Sequence, residues 1–591
     1  MRDGVRLAVD VYAGADPAPR PVVLHRTPYD RTATSDANVS QHDAVPLAPR
    51  DIGNFYWRHG FVYVTQDCRG RHASEGDFVK YVSDGTDGYD TCAWIVSQDW
   101  CDGRILTTGL SYDAHLQATL GLTDPPGLTG QIFDCGGLWN GWKSVIRTNG
   151  VYELKQATWA VAAARRSPEA LADAAVAAAL ARETLAGWLR RLPWRPGQSP
   201  LKAHPRAEAA LLEQWTEGEF SAYWQTPGLW FEGGHAQYPC VPCTHLSGWY
   251  DPYSVTAVGN FLGLSAAGRG PQTLILGAFT HGRRSERIVG CVDLGPEAPL
   301  DSWAGDWMQF QAHALRRALE GLPPDGPRVR YFMMGGGTGR RTDAGHLDHG
   351  GRWREATDWP PADAHPVNLH LQPDGRLGRT PPAHTAVMSF EFDPADPVPT
   401  VGGPLASLEP FASAGGFDQR TSAGPLAQRP DVLVFRTDLL ETGVDLAGSV
   451  TLELTVSTDG PDTDFSGKLI DEYPPSTAYP EGFALNLCDS ILRLRYVADP
   501  RRTEFPAPHS KVRVTLELPP MANHFAPGHR IRLDLSSSNF PRYDPNPNTG
   551  EPEGQALQQR VARNSIHMGA DEVACMTLHV LKDPAEGGEI E

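Results

Sequence analysis

The most informative stretch of this chain is Gly109-Leu110-Ser111-Tyr112-Asp113, because a strand pattern precedes it and a helix pattern follows it. The strand pattern is Ile105-Leu106-Thr107-Thr108, and the helix pattern is His115-Leu116-Gln117-Ala118-Thr119-Leu120. A serine at a sharp strand-to-helix turn holds its Oγ clear of the sheet, as a nucleophile requires. The N–H groups at the start of the helix would face a developing oxyanion. The pattern therefore predicts that Ser111 is a nucleophile.

Two later apolar segments each end in a group that a serine nucleophile needs. They are Leu246-Ser247-Gly248-Trp249-Tyr250 before Asp251, and Thr273-Leu274-Ile275-Leu276-Gly277-Ala278-Phe279-Thr280 before His281. The chain order Ser, Asp, His is that of the α/β-hydrolase fold, and open α/β sheets build their sites at the carboxyl ends of strands. We therefore predict a catalytic triad of Ser111, Asp251 and His281.

Each member of this triad also has a simpler interpretation. The second glycine of the Gly-x-Ser-x-Gly pattern is absent, since Asp113 stands there, and Ser111 alone fits a helix N-cap. A lone aspartate after an apolar run is usually a turn residue, and a lone histidine is usually a surface or hydrogen-bonded core group. The order and placement of all three together favour nucleophilic catalysis.

Composition restricts the class of protein. The net charge of −19 argues against binding to nucleic acid or to an anionic membrane surface. No apolar run reaches the roughly 18 residues that a membrane span needs, and the charged start at Met1 does not resemble a signal peptide. That abrupt start leaves room for a further strand upstream. Nine dispersed cysteines suit reduced thiols, so we predict a cytoplasmic protein.

Two short motifs have the spacing of a redox or metal site, but neither is complete. Cys240-Val241-Pro242-Cys243 has no second Cys-x-x-Cys and precedes a strand rather than a helix. His346-Leu347-Asp348-His349 lies in a glycine-rich stretch that is typical of a loop. No phosphate-binding glycine loop or dinucleotide fingerprint is present. We predict no metal and no cofactor.

The pattern of elements changes three times along the chain. Strands alternate with helices over residues 1–143 and again over 240–345, which indicates a largely parallel sheet in two parts. Residues 144–239 are rich in Ala, Leu and Arg and predict a helical cap over the site. Residues 346–591 predict a β-sandwich or jelly roll, from strand-like runs such as Ser449 to Val456, Leu492 to Tyr496 and Val512 to Leu518. The predicted fold class is therefore α/β, with an inserted helical cap and a C-terminal β-domain.

The chain resembles the cocaine esterase/X-Pro dipeptidyl-peptidase family of serine hydrolases over essentially its full length. The matching motifs are Met1 to Leu7, Arg26-Thr27-Pro28-Tyr29, Gln66 to Gly76, Trp100-Cys101-Asp102-Gly103, Gly248-Trp249-Tyr250-Asp251, Asp462-Thr463-Asp464-Phe465, Gly528-His529-Arg530 and Ser536 to Pro541. The resemblance implies an α/β-hydrolase with a helical cap and a C-terminal jelly roll. It also implies that the Tyr29 hydroxyl and the Tyr112 backbone N–H form the oxyanion hole.

The chain departs from the family pattern at three places. Ala114 replaces the usual glycine three positions after the nucleophile, and Gly277-Ala278-Phe279-Thr280-His281 replaces the usual Gly-Pro-Trp-x-His. Family members that bind a substrate ammonium carry acids just after the catalytic aspartate, where this chain has Pro252-Tyr253-Ser254. That last difference argues against aminopeptidase-like and amino-acid-ester activities.

The predicted substrate is a small-molecule ester or amide. We place Trp139, Trp142, Trp159 and Tyr253 at an apolar and aromatic substrate pocket, although the three tryptophans are equally typical of a domain interface. The first hypothesis is a hydrolase of neutral, bulky or aromatic esters. X-Pro dipeptidyl-peptidase or other amide hydrolysis is the second, and an acyltransferase or a non-catalytic binder is the third. A homodimer is left open.

Overall fold

The computed structural model describes residues 1–15, 18–34, 46–404 and 414–581. The first α/β segment consists of β1 (Val9–Tyr12), β2 (Arg20–Thr27), α1 (Pro49–Arg58), β3 (Val62–Asp67), α2 (Asp84–Val96), β4 (Cys101–Leu110), α3 (Tyr112–Gly121) and β5 (Leu128–Asp134). The second consists of β8 (Cys243–Tyr250), α9 (Ser254–Ala266), β9 (Gln272–Thr280), β10 (Ile288–Val289), β11 (Val292–Asp293), α10 (Asp301–Ala304), α11 (Trp307–Leu319), β12 (Val329–Met334), β13 (Leu347–Asp348) and β14 (Gly351–Ala356).

Most strands of these two segments form one sheet with the order β1-β3-β2-β4-β5-β8-β9-β12, and β10, β11 and β13 form a small separate sheet. All neighbours are parallel except β1, which is antiparallel to β3, and β14, which pairs antiparallel with β12 at the far edge. β14 begins at Gly351, beyond the predicted boundary at residue 346, so the α/β sheet takes one strand from the predicted β-domain. The α/β-hydrolase prediction is confirmed.

Helices cover both faces of this sheet, which explains why its strands are apolar throughout rather than alternating. Val23 packs towards α1 and α11, whereas its neighbours Val22 and Leu24 pack towards α2 and α3. All three side chains are almost completely buried. Burying each such side chain contributes about 1.5–3 kcal/mol.

The helical segment between β5 and β8 lies over the carboxyl edge of the sheet. It contains the short hairpin β6 (Arg147–Thr148) and β7 (Val151–Tyr152), then α4 (Lys155–Arg165), α5 (Pro168–Ala172), α6 (Ala174–Arg182), α7 (Leu185–Leu189) and α8 (Pro205–Thr216). Side chains at the starts of α5, α6 and α7 cap each helix, from Ser167, Asp173 and Thr184. These caps divide this part of the predicted helical region into separate short helices.

The C-terminal region is a two-sheet β-sandwich, as predicted. Its strands are β15 (Ala364–Leu371), β16 (Leu377–Gly378), β17 (Ala386–Phe392), β18 (Arg420–Thr421), β19 (Gly424–Pro425), β20 (Leu433–Arg436), β21 (Val444–Thr458), β22 (Asp464–Tyr473), β23 (Phe483–Arg493), β24 (Val512–Phe525), β25 (Arg530–Ser536), β26 (Ala562–Met568) and β27 (Ala574–Leu581). One sheet has the order β24-β21-β27-β15-β16 with β26 and β17 attached, and it continues the α/β sheet through the pairing of Met334 on β12 with Asn523 on β24. The other sheet has the order β20-β25-β22-β23.

One strand prediction in this region is wrong in its extent. The run from Leu492 to Tyr496 is strand only as far as Arg493, and Leu494–Tyr496 form a 3₁₀ turn. The buried guanidinium of Arg495 turns there to pair with Asp462 at 2.7 Å, which explains the bend. The jelly-roll connectivity stays a prediction, and residues 582–591 of the predicted β-domain lie outside the described residues. None of the described helices is both long and apolar enough to cross a membrane.

Candidate active site

Ser111 lies at a sharp turn between β4 and α3. Its φ of 65° and ψ of −118° are rare for a residue with a side chain, and such strain is typical of functional turns. Close packing enforces the turn, because a Cβ atom at Gly136 would lie only 2.2 Å from the Ser111 carbonyl oxygen. Likewise, a Cβ at Gly109 would lie 2.5 Å from the Cβ of Asp113. The geometry is that of a nucleophile elbow.

The carboxyl ends of β8 and β9 bring Asp251 and His281 together. His281 Nδ1 donates to Asp251 Oδ1 at 3.0 Å, and Asp251 is fully buried. Ser247 Oγ donates to the other carboxylate oxygen at 2.8 Å, and the Tyr253 N–H donates to Oδ1 at 3.2 Å. Burial alone would raise the pKa of Asp251, but the His281 ring, the Cys135 thiol and the Tyr253 N–H hold it below its usual value. Asp251 is therefore an ionised acceptor that orients the imidazole.

The Tyr29 hydroxyl lies next to the Ser111 hydroxyl. Tyr29 follows the end of β2 by two residues, and its oxygen accepts a hydrogen bond of 3.1 Å from Trp159 Nε1. Burial raises the pKa of Tyr29 to about 12, so the phenol keeps its proton near neutral pH. With one lone pair engaged by Trp159, the O–H is available to donate towards the elbow.

Tyr112 is the first residue of α3, so its backbone N–H has no acceptor within the helix. Its side chain is fixed by contacts on three sides. The hydroxyl donates to Asp84 Oδ2 at 2.8 Å and accepts from the Tyr81 N–H at 2.9 Å. The ring stacks on Trp159 with a centroid distance of 5.7 Å. The first turn of α3 is thus held rigidly beside Ser111.

A cavity of about 730 Å³ opens above the elbow, between the sheet edge and α4. Of the predicted site residues, Ser111, His281, Tyr29, Tyr112, Trp159 and Tyr253 line it, and Asp251 lies directly behind His281. Tyr253 stacks on the His281 ring at 5.3 Å. The structure therefore brings seven of the nine predicted site residues to one place.

Trp139 and Trp142 do not line this cavity, so the structure does not support the prediction that they contact substrate. The Trp142 indole N–H donates to the Gly218 carbonyl at 2.7 Å, and its ring packs edge-on against Tyr496. Trp139 packs on Gly259 of α9 and lines a different cavity. Trp142 thus belongs to the contacts between domains, the alternative that the sequence left open, whereas Trp139 packs against a helix of the α/β domain.

Sequence reasoning missed a buried acid–histidine pair beside the nucleophile. Asp113 occupies the position of the missing second glycine, and its Oδ2 lies 2.7 Å from His25 Nε2. The other ring nitrogen of His25 lies 2.9 Å from the Tyr63 hydroxyl. Burial raises the pKa of Asp113, and His25 opposes that shift. The sequence showed that Asp113 replaces the glycine, but it did not show that His25 on β2 is the partner of Asp113.

Among the described residues, one group of three side chains has the spacing of a metal site. The donor atoms of Cys135, Asp251 and His281 lie within 4.8 Å of one another. Asp251 and His281 already bind each other, and burial raises the pKa of the Cys135 thiol well above its usual value, so it stays protonated. The set therefore fits an acid–base pair better than a metal site.

Neither of the two short motifs, Cys240 to Cys243 and His346 to His349, forms a redox or metal site among the described residues. Cys240 is exposed and Cys243 is buried, and both are free thiols. Leu347 and Asp348 form β13 rather than the predicted loop. His349 is buried and shares hydrogen bonds with Tyr473 and Asn523, so its side chain serves the packing of the β-domain.

Two family models match successive parts of this chain. The family model described as X-Pro dipeptidyl-peptidase (S15 family) matches residues 3–283, and that of the X-Pro dipeptidyl-peptidase C-terminal non-catalytic domain matches residues 324–573. The chain is 31% identical to the cocaine esterase of Rhodococcus sp. (strain MB1 Bresler), over 98% of this chain and 97% of that protein.

Solved structures share the fold over nearly the whole length. An aminopeptidase from a marine sediment Thaumarchaeota archaeon aligns with a TM-score of 0.78 and 24% identity, covering 98% of this chain and 95% of the other. An α-amino acid ester hydrolase aligns with a TM-score of 0.72 and 24% identity, with the same coverage. From the two family matches and the full-length relative, the chain belongs to the X-Pro dipeptidyl-peptidase (S15) family of serine hydrolases.

Proposed function

We propose that this protein hydrolyses a carboxylic ester through an acyl-enzyme intermediate on Ser111. The observation that carries the proposal is the Asp251–His281 hydrogen bond of 3.0 Å at a cavity that also contains a strained Ser111. The full-length relative named cocaine esterase supports an ester as the substrate. The aromatic lining from Trp159 and Tyr253 supports a bulky or aromatic acyl group.

The chemistry follows from the weak nucleophilicity of a neutral hydroxyl. His281 Nε2 takes the Ser111 proton as Oγ attacks the ester carbonyl, and returns it to the departing alkoxide. Asp251 holds the imidazole tautomer and stabilises its charged form. Water then attacks the acyl-enzyme by the same route in reverse, giving a carboxylic acid and regenerating Ser111.

The Tyr29 hydroxyl and the Tyr112 backbone N–H stabilise the oxyanion of each tetrahedral intermediate. Both are fixed before substrate arrives, Tyr29 by the Trp159 N–H and Tyr112 by its position at the start of α3. Fixed donors act without reorganisation in the reaction, and each is worth about 3 kcal/mol of barrier.

The X-Pro dipeptidyl-peptidase alternative needs a carboxylate to bind the substrate ammonium. No acid follows Asp251 within the next three residues, and of the two acids that line the cavity, Asp113 is already paired with His25. Acyl transfer to an acceptor other than water uses the same triad. Neither alternative has an observation of its own in its favour.

A panel of chromogenic aryl esters against aminoacyl-prolyl 4-nitroanilides tests the proposal, with a burst of the first product as the sign of an acyl-enzyme. We expect ester turnover that is lost in Ser111→Ala. Turnover of the anilides alone would replace the proposal with peptidase activity. A dependence of the rate on an added alcohol or amine, with a new ester or amide as product, would replace it with acyl transfer.

A further inference from the structure

The charge of the active-site cavity is opposite to that of the whole protein. The chain has a net charge of −19. Yet among the residues that the structure describes, the ionisable Lys, Arg, Asp and Glu side chains that line the cavity are four bases and two acids: Arg31, Lys80, Lys155, Arg166, Asp30 and Asp113. A cavity with this balance concentrates anions rather than cations.

Half of these charges are already neutralised by partners. Arg31 pairs with Asp67 at 2.7 Å, Lys155 with Glu153 at 2.7 Å, and Asp113 with His25 at 2.7 Å. Within the described ranges, no carboxylate lies within 4.0 Å of the Lys80 ammonium or the Arg166 guanidinium. These two cations are therefore the ones that remain to interact with a ligand.

Helix α4 presents a basic face to the cavity. Lys155, Trp159, Ala162 and the C-cap residue Arg166 all line it, and spacings of four, three and four residues place them on one side of a helix. Lys80 comes from the loop before α2 and packs against this face. The basic wall is thus a surface formed by two segments that are distant in sequence.

Lys80 is held in a defined position on that wall. Its Nζ lies 4.1 Å from the centre of the Trp159 ring and 4.7 Å from that of Tyr81, and it donates to Gln156 Oε1 at 2.8 Å. An ammonium has three donors, and one of them is used by Gln156. Burial, together with the Lys155 ammonium, lowers the pKa of Lys80 to about 7. A half-buried cation without a counter-charge is unfavourable, and a bound anion would relieve that cost.

We infer that the substrate is an ester bearing a carboxylate, and that Lys80 is the side chain that selects it. This inference rests on the proposed ester hydrolysis at Ser111. It replaces the neutral ester of the sequence-based hypothesis and keeps its bulky or aromatic character. The carboxylate would accept from the Lys80 ammonium, with Arg166 at the exposed end of the same helix face attracting it from solution.

The position of Lys80 relative to the reacting atoms fits an aromatic spacer. A single indole ring connects the two sites, because Trp159 contacts Lys80 through its face and Tyr29 through its N–H. The oxyanion donor and the proposed carboxylate donor therefore both contact the same indole ring. A flat substrate with its ester and carboxylate at opposite ends of a ring matches that arrangement.

Matched ester pairs measure the selection directly. On the acyl side, monomethyl terephthalate is compared with methyl 4-isopropylbenzoate, in which an isopropyl group replaces the carboxylate at similar volume. On the alcohol side, 4-carboxyphenyl acetate is compared with 4-isopropylphenyl acetate. Product acids are quantified by chromatography. We expect kcat/KM of the parent protein to favour the carboxylate ester by about tenfold or more in one of the two pairs, and that pair identifies the side that carries the anion.

Lys80→Met keeps the length of the side chain and removes its charge. We expect this substitution to lower the ratio of kcat/KM for the carboxylate ester to kcat/KM for the neutral ester by about 10–100-fold. The change should come mainly from a higher KM for the carboxylate ester. Lys143→Met is the matched control, because Lys143 likewise lies over a tryptophan, Trp139 at 5.0 Å, but lines a different cavity. That variant should leave the ratio unchanged.

Two results would overturn the inference: a parent protein that prefers the neutral ester in both pairs, or a Lys80→Met variant that retains the parent ratio. Labelling of Lys80→Met by a fluorophosphonate shows that the variant is folded. Failure of the proposed function is distinguishable, because no ester of either charge would then be hydrolysed in a Ser111-dependent way.

Discussion

The two walls of the active-site cavity are held in place by different kinds of contact. The lower wall is the carboxyl edge of the parallel sheet, where the ends of β4, β8 and β9 place Ser111, Asp251 and His281. The upper wall is α4 and the loop that carries Lys80, where Trp159 and Gln156 hold the ammonium. Backbone hydrogen bonds between neighbouring strands fix the lower wall, whereas side-chain contacts between distant segments fix the upper one.

In the proposed function, the lower wall carries out the reaction and the upper wall selects the substrate. Proton transfer needs distances of about 3 Å to be kept within tenths of an ångström, which a rigid sheet edge provides. Substrate choice needs a surface that sequence change can alter without disturbing that geometry, which helices and loops above the sheet provide. Changes in the lower wall should therefore lower kcat for all esters, and changes in the upper wall should alter preference among them.

The largest effect is expected in the lower wall, from Asp251→Asn. An asparagine at this position would favour the wrong imidazole tautomer, so kcat should fall by about 10⁴-fold for every ester. Steady-state kinetics on one chromogenic ester checks this. Asp325→Asn is the control, since Asp325 forms an exposed pair with His313 at 3.0 Å away from the cavity. Near-normal turnover in Asp251→Asn would show that another acid orients the base.

Tyr29→Phe should have the next largest effect, because it removes one oxyanion donor and keeps the ring. The loss should fall on kcat, by about 10²–10³-fold, since this hydrogen bond strengthens in the transition state. Thermal denaturation should show little change in Tm. Tyr89→Phe on α2, outside the cavity, serves as control. A changed KM with parental kcat would mean that Tyr29 only shapes the pocket.

The upper wall should show its effect in the pH dependence of substrate preference. The pKa of Lys80 is about 7, lowered by burial and by Lys155, so its ammonium is charged below that pH and is lost above it. Above pH 7, the ratio of kcat/KM for a carboxylate ester to kcat/KM for its neutral match should decrease with rising pH. The decrease should approach a factor of ten for each pH unit. His281 affects both esters equally and cancels in the ratio. A ratio that is constant from pH 6 to 9 would remove Lys80 from substrate selection.

The smallest effect tests the point where the two walls meet, the hydrogen bond from Trp159 to Tyr29. Trp159→Phe should lower kcat by about fivefold, the worth of one neutral hydrogen bond. If the indole acts through Tyr29, the Trp159→Phe substitution should cause no further loss of kcat in a protein that already carries Tyr29→Phe. Measuring kcat for both single variants and the double variant checks this. Additive losses would mean that Trp159 acts on the substrate alone.

The two walls also differ in how far the sequence predicts them. The placement of Ser111, Asp251 and His281 at one edge of the sheet was predictable, because each follows a local apolar run and the fold fixes their order. Lys80 and His25 were not, because their partners Trp159 and Asp113 lie 79 and 88 residues away and no local pattern links them. Trp142 shows the converse error, since an aromatic residue at a domain boundary packs in an interface as readily as in a pocket.

Mass-spectrometric mapping of a fluorophosphonate adduct tests the assignment of Ser111 as the nucleophile most directly. A fluorophosphonate forms a stable adduct only with an activated serine, and Ser111 lines the same cavity as His281 and lies next to the Tyr29 hydroxyl. We expect one adduct per chain, on the peptide that contains Ser111, and none in Ser111→Ala. An adduct on another residue, or labelling retained in Ser111→Ala, would contradict the account.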